Sequence, residues 1–150
     1  MESMQLPQDF RDFLRLMNEH GVEYLLIGGY AVAYHGFPRT TLDMDIWIAN
    51  RPENAASMVQ VMRDFGFTGS ISPEVFLVDD GVVRMGVAPM KLEIMMDVSG
   101  VSFDECYENR VVDMIDGTRV SIISLQDLRS NKKAAGRHKD LNDLENLPKH

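Results

Sequence analysis

Leu25-Leu26-Ile27-Gly28-Gly29-Tyr30-Ala31-Val32-Ala33, followed fourteen residues after Gly29 by Asp43-Met44-Asp45-Ile46, is the stretch that decides the fold. Tyr24 to Ile27 is short and apolar, the pattern of a buried strand, and it stops at paired glycines. Tyr30 to His35 is small and apolar enough for one or two helical turns, closed by Gly36-Phe37-Pro38. Asp43 to Ala49 reads as a second strand. Paired glycines let backbone amides approach a ligand, and a helix N-terminus offers unpaired N–H groups to an anion. The same pair also serves as a plain tight turn.

Before this stretch, Phe10, Phe13, Leu14 and Met17 fall on one face of an amphipathic helix ended by Gly21. After it, Pro52 to Phe65 reads as a helix with Pro52 in its first turn and Gly66 beyond its end. Val75 to Val78 and Val82 to Val87 flank Asp79-Asp80-Gly81, a hairpin signal. Lys91 to Val98 reads as a strand, and Phe103 to Asn109 as a short helix. Val111 to Ile115 and Arg119 to Ile123 flank Asp116-Gly117, a second hairpin candidate. Ser124 is placed as an N-cap, with Asp127 in the capping-box position. Two helices, Leu125 to Ala135 and Arg137 to Leu147, break at Gly136. With no repeat or linker, the expectation is one domain over residues 1–150. Its class is α/β (α+β), a mixed sheet flanked by helices with a C-terminal helical pair.

Composition sets the outer bounds. The chain has 150 residues, 45% hydrophobic and 25% charged, which suits one globular core. No apolar run is long enough to cross a bilayer, and the start MESMQLPQDF lacks a signal pattern, so no membrane partner is expected. The single cysteine, Cys106, cannot form an internal disulfide, which fits a cytoplasmic protein. A net charge of −8 argues against broad nucleic-acid binding. The positive charge is uneven, however. Arg129, Lys132, Lys133, Arg137 and Lys139 place a third of it in eleven residues without an acid. That cluster is either a solvated helix face or a local anion site.

Strand alternation sends Asp43 and Asp45 one way and Met44, Ile46 and Ile48 into the core. Two carboxylates a pleat apart suit hard divalent cations, and without a counter-charge they repel. Alternatively, Asp43 is a turn residue and Asp45 is solvated. On the next acidic strand, Glu93 and Asp97 share a face, and either would meet Asp43 and Asp45 from a neighbouring strand. A third carboxylate there would serve as a metal ligand or as a base near an attacking hydroxyl. Asp-x-Asp also occurs in metal-dependent sugar transfer, which needs a larger sugar-nucleotide domain than this length allows.

The order Gly28-Gly29, then Arg39-Thr40-Thr41-Leu42-Asp43-Met44-Asp45-Ile46, then an acidic strand, resembles the nucleotidyltransferase superfamily of polymerase β type. It is most similar to small stand-alone bacterial members that include the AbiEii toxin-like group. The ending Ser124-Leu125-Gln126-Asp127-Leu128, then Lys132 through Leu144, is also similar to that group. The resemblance implies that Gly28 and Gly29 hold a nucleoside triphosphate and that Asp43 and Asp45 bind Mg²⁺, two ions in all, for which Mn²⁺ can substitute. It places the third acid at Glu93, before Gly100-Val101-Ser102-Phe103. This departs from the usual Asp and lies four residues ahead of Asp97. Lys132 or Lys133, with Arg137, would contact phosphate. Arg39 and Thr40 would join the nucleotide-binding set, with Thr40 and Thr41 either donating to phosphate or shaping the turn. Asp140 would anchor Arg39 or Arg137.

The implied function is Mg²⁺-dependent transfer of a nucleoside monophosphate from a triphosphate to an acceptor hydroxyl, with pyrophosphate release. The acceptor would be RNA, tRNA or protein. A homodimer or an antitoxin-like partner would complete so short a chain, as in a toxin–antitoxin pair. The rival reading is a non-catalytic nucleotide-binding or partner-binding module of the same fold, kept alive by Glu93. Trp47 either stacks on a base or packs at the rim, His35 is read as structural or surface, and Cys106 is given no chemistry.

Overall fold

A computed structural model describes residues 4–67, 69–86 and 91–150. Its first helix, α1 (Gln8–Glu19), buries Phe10, Phe13, Leu14 and Met17, the stripe expected from their spacing. Next come β1 (Tyr24–Ile27), α2 (Gly28–Tyr34), β2 (Asp43–Ile48) and α3 (Pro52–Phe65). The second half comprises β3 (Val82–Met85), β4 (Lys91–Met95), α4 (Phe103–Glu108), β5 (Val111–Ile115), β6 (Thr118–Ile122), α5 (Leu125–Ala135) and α6 (His138–Asn146). Among the described residues no helix is long and apolar enough to cross a membrane.

The strands form one mixed sheet in the order β3-β4-β2-β1-β6-β5. β1 runs antiparallel to β2 and parallel to β6, while β2 runs parallel to β4. The two central strands are the most buried: all four residues of β1 are covered, as are Met44, Ile46, Trp47 and Ile48 of β2. The expected α/β class, mixed sheet and C-terminal helical pair are all present. The Asp116-Gly117 hairpin also forms, joining β5 to β6 with Ile115 opposite Thr118. Asp127 N donates to Ser124 Oγ at 3.1 Å, so the expected cap of α5 is made.

Several boundaries differ from the sequence reading. Val75 to Val78 is not a strand. Pro73–Phe76 is a 3₁₀ turn that starts at a proline and anchors only Phe76 in the core. The first proposed hairpin is therefore replaced by an antiparallel pair between β3 and β4. The acidic strand ends at Met95 because Met95 is opposite both Val82 and Trp47, the last partners on its two sides. Asp97 thus lies beyond the strand. Val87, the expected end of the strand from Val82, lies outside the described residues. α2 begins at the glycine pair itself, with Gly28 turning the chain where β1 passes into the helix.

Candidate active site

Asp45 stands where three elements meet. It lies opposite Ile27, the last residue of β1, and opposite Glu93 of β4. Directly after Ile27 the chain turns at Gly28, whose φ is +67°, a left-handed conformation that favours glycine. A Cβ at Gly28 would lie 2.0 Å from Asp45 Oδ2, and one at Gly29 would lie 2.7 Å from Thr41 Oγ1. The glycines therefore do more than turn the chain: they make room for the acid and for the segment leading to it.

This packing leaves Asp45 Oδ1 buried without a hydrogen-bond partner among the described residues. Burial, then the charges of Glu93 and Asp43, push the Asp45 carboxyl up to about 7, and a hydrogen bond with Glu93 adds to the rise. Lys139 pulls it back in part. Asp43 is half-buried one pleat away on the same face, and its carbonyl accepts a bond from Thr41 Oγ1 at 3.1 Å. Glu93 is held from the other side by Arg84, whose Nε is 3.2 Å from Oε1.

The three acids therefore share one sheet face, with Asp45 and Glu93 in register. Oxygen donors, mutual repulsion and an unpartnered buried oxygen fit a hard divalent cation at Asp43, Asp45 and Glu93. Among the described residues, however, no three His, Cys, Asp or Glu side chains are drawn together into a formed metal cluster.

A cavity of about 400 Å³ opens beside Asp45, lined by Gly28, Gly29, Arg39, Asp97, Arg137 and Lys139, among others. A larger, more open concavity of about 500 Å³ lies against α1 and Asp64 and contains none of the expected site residues. The basic residues of the first cavity come from the loop before β2 and from the helical tail. Arg137 caps α6, donating Nε–H to Asp140 Oδ2 at 2.7 Å, and this bond raises its own pKa. Burial opposes the Asp140 charge, but Arg137 and Lys132 outweigh it and hold that carboxyl below its ordinary value.

The other expected residues sort clearly. Lys132 also borders the cavity, but its Nζ is buried in ion pairs with Asp140 and Asp143. Lys133 and Thr40 are exposed and are not part of the cavity lining. Thr41 shapes the turn. Trp47 is packed edge-on against Phe103 with 1% exposure, so it does not present a face to a base. His35 Nε2 is bound to the Ile123 carbonyl at 2.7 Å, a structural contact. Sequence reasoning placed Lys139 only within the basic cluster and missed Asp143; the signal was the Asp140–Asp143 spacing, which puts both acids on one face of α6.

The model of the family described as nucleotidyltransferase of unknown function, DUF6036, matches residues 4–147. This chain belongs to that family. Solved structures similar to this DUF6036 chain include TM1012 of Thermotoga maritima, which carries a nucleotidyltransferase designation. It has a TM-score of 0.62 at 17% identity, over 91% of this chain and 88% of that one. The lincosamide antibiotic adenylyltransferase LnuA, solved with lincomycin bound, gives 0.61 at 13% identity over 97% and 98% of the two chains. An antigenic nucleotidyltransferase-like protein of Paracoccidioides brasiliensis gives 0.56 at 17%, over 94% and 76%. These likenesses establish a nucleotidyltransferase fold. No curated protein sequence matches the chain.

Proposed function

We propose that this chain is a cytoplasmic, divalent-metal-dependent nucleotidyltransferase. It moves a nucleoside monophosphate from a nucleoside triphosphate to an acceptor hydroxyl, and pyrophosphate leaves. The observation that carries this reading is Asp45: pressed against Gly28, opposite Glu93, with one buried oxygen unpartnered among the described residues. In this reading Asp43, Asp45 and Glu93 hold Mg²⁺ or Mn²⁺, two ions in all, which when bound supply neutralisation of charge on the reacting phosphate. The glycine turn receives the triphosphate, and Arg39, Arg137 and Lys139 face its anionic oxygens. Such catalysis is mostly positioning and electrostatics. The acceptor is a hydroxyl of RNA, protein or a small molecule. The AbiEii-like, toxin-type role with an antitoxin partner belongs to the same proposal.

The test is pyrophosphate release with each of the four ribonucleoside triphosphates, with Mg²⁺ or Mn²⁺, and with or without total tRNA. The control is the Asp43→Ala/Asp45→Ala double variant. Metal-dependent release that the variant loses supports the proposal. Binding without release favours the second reading, a non-catalytic nucleotide-binding module, for which the Arg84–Glu93 ion pair speaks by engaging the third acid. Neither binding nor release overturns both.

A further inference from the structure

The basic side of the cavity is tied together by a buried chain of ion pairs. Lys132 Nζ lies 3.3 Å from Asp140 Oδ1 and 3.1 Å from Asp143 Oδ2, with the three side chains 7%, 0% and 2% exposed. Asp143 in turn holds Arg39, accepting from Nη2 at 3.1 Å, with Nε 3.0 Å from its other oxygen. Arg39 precedes β2 and Asp143 lies on α6, 104 residues away in sequence. Nη2 thus makes the one hydrogen bond to Asp143, Nε is a close ion-pair contact without a hydrogen bond, and Nη1 donates to no protein group among the described residues. Arg39 borders the same cavity as Asp45 and Gly28. Removing one partner from a buried ion pair strands the other charge. Lys132 therefore acts as the counter-ion that lets two buried carboxylates stay ionised together.

We propose that Asp143 is a positioning residue that aims Arg39 at the triphosphate, and that Lys132 is its buried counter-ion and not itself a phosphate contact. The inference rests on the nucleotidyltransferase reading above. A planar guanidinium held by one hydrogen bond and a second close ion contact to the same carboxylate is restrained in direction as well as in charge, which an ammonium in its place would not be.

The experiment is calorimetric binding of Mg²⁺-tripolyphosphate, and of the four triphosphates with Mg²⁺, to the full chain, alongside KM and kcat for pyrophosphate release. Arg39→Ala and Asp143→Asn are each expected to weaken binding by on the order of tenfold to a hundredfold. The loss is expected in KM more than in kcat, and the double variant should be no weaker than Arg39→Ala alone. Losses that add in full, or an Asp143→Asn protein that binds like wild type, overturn the assignment while leaving the functional reading intact. A wild-type chain that binds none of the probes overturns both. Should Asp143→Asn not fold, Arg39→Lys decides. It keeps the charge but loses the fork, so near-complete loss of the Arg39 contribution supports the assignment, and full affinity overturns it.

Discussion

Asp45→Asn should make this protein more stable while removing its function. The carboxyl titrates near 4 in an unfolded chain and at about 7 in the folded one, where burial and the neighbouring Glu93 and Asp43 oppose its charge. Between those values folding takes up a proton, so stability falls as pH rises, and above about 7 the penalty is constant. A rise of roughly three pK units corresponds to about 4 kcal/mol. Partial solvation of the carboxylate reduces this to about 2 kcal/mol. Asparagine keeps the shape beside Gly28, can donate to Glu93, and carries no charge. Urea unfolding in EDTA should therefore show the variant more stable by about 2 kcal/mol at pH 8, or about 6 °C in Tm. The advantage should shrink towards zero as pH falls to about 4. A variant no more stable than wild type at pH 8, or an advantage independent of pH, would refute the reasoning.

Gly28→Ala places a Cβ 2.0 Å from Asp45 Oδ2 at a φ of +67°, and should cost about 3 kcal/mol by thermal unfolding; a loss below about 1 kcal/mol would show that the acid is not wedged against the turn. Lys132→Met leaves Asp140 and Asp143 buried without their shared cation, and should destabilise by about 3 kcal/mol in urea; unchanged stability would contradict the counter-ion role. Cys106 is buried and its thiol is pushed up to about 12, first by burial and then by Asp127. It should resist a disulfide-exchange reagent at pH 8 in the native protein and react fully in urea, and rapid native labelling would disprove that environment.

What could be read in advance was governed by how local each signal is. Phe10, Phe13, Leu14 and Met17 carry their helix in their own spacing, and Ser124 with Asp127 carries a cap within four residues. Val75 to Val78 misled because β-branched composition says nothing about available partners, and Pro73 starts a 3₁₀ turn there instead. The extent of β4 was not local either: its end is set by where β2 and β3 stop pairing. For the site, alternation was enough to put Asp43 and Asp45 on one face. The sequence could not show that Asp45 would face Glu93 across a parallel pair, since that register depends on strands separated by α3 and the 3₁₀ turn. Lys132 was the hardest case. A lysine in a basic cluster looks like a ligand for anions until two acids from the next helix are found around it.

The distribution of charge across the cavity narrows what can bind there. The acidic wall carries Asp45 on the sheet and Asp97 just beyond β4, and Asp43 and Glu93, next to Asp45 outside the lining, help burial to raise its pKa. The basic wall, from the tail and the loop before β2, carries Arg39, Arg137 and Lys139. Counting Arg39, Lys132 and Arg137 against Asp140 and Asp143, the ion network keeps a positive surplus even after its internal pairs are made. A free anion entering this space is attracted by one wall and repelled by the other, and a free cation meets the reverse. A ligand that presents a cation to the sheet and an anion to the tail satisfies both walls at once. Polyphosphate complexed to a divalent metal has that polarity. It is also consistent with a chain of net charge −8 binding phosphate locally without attracting nucleic acid in general.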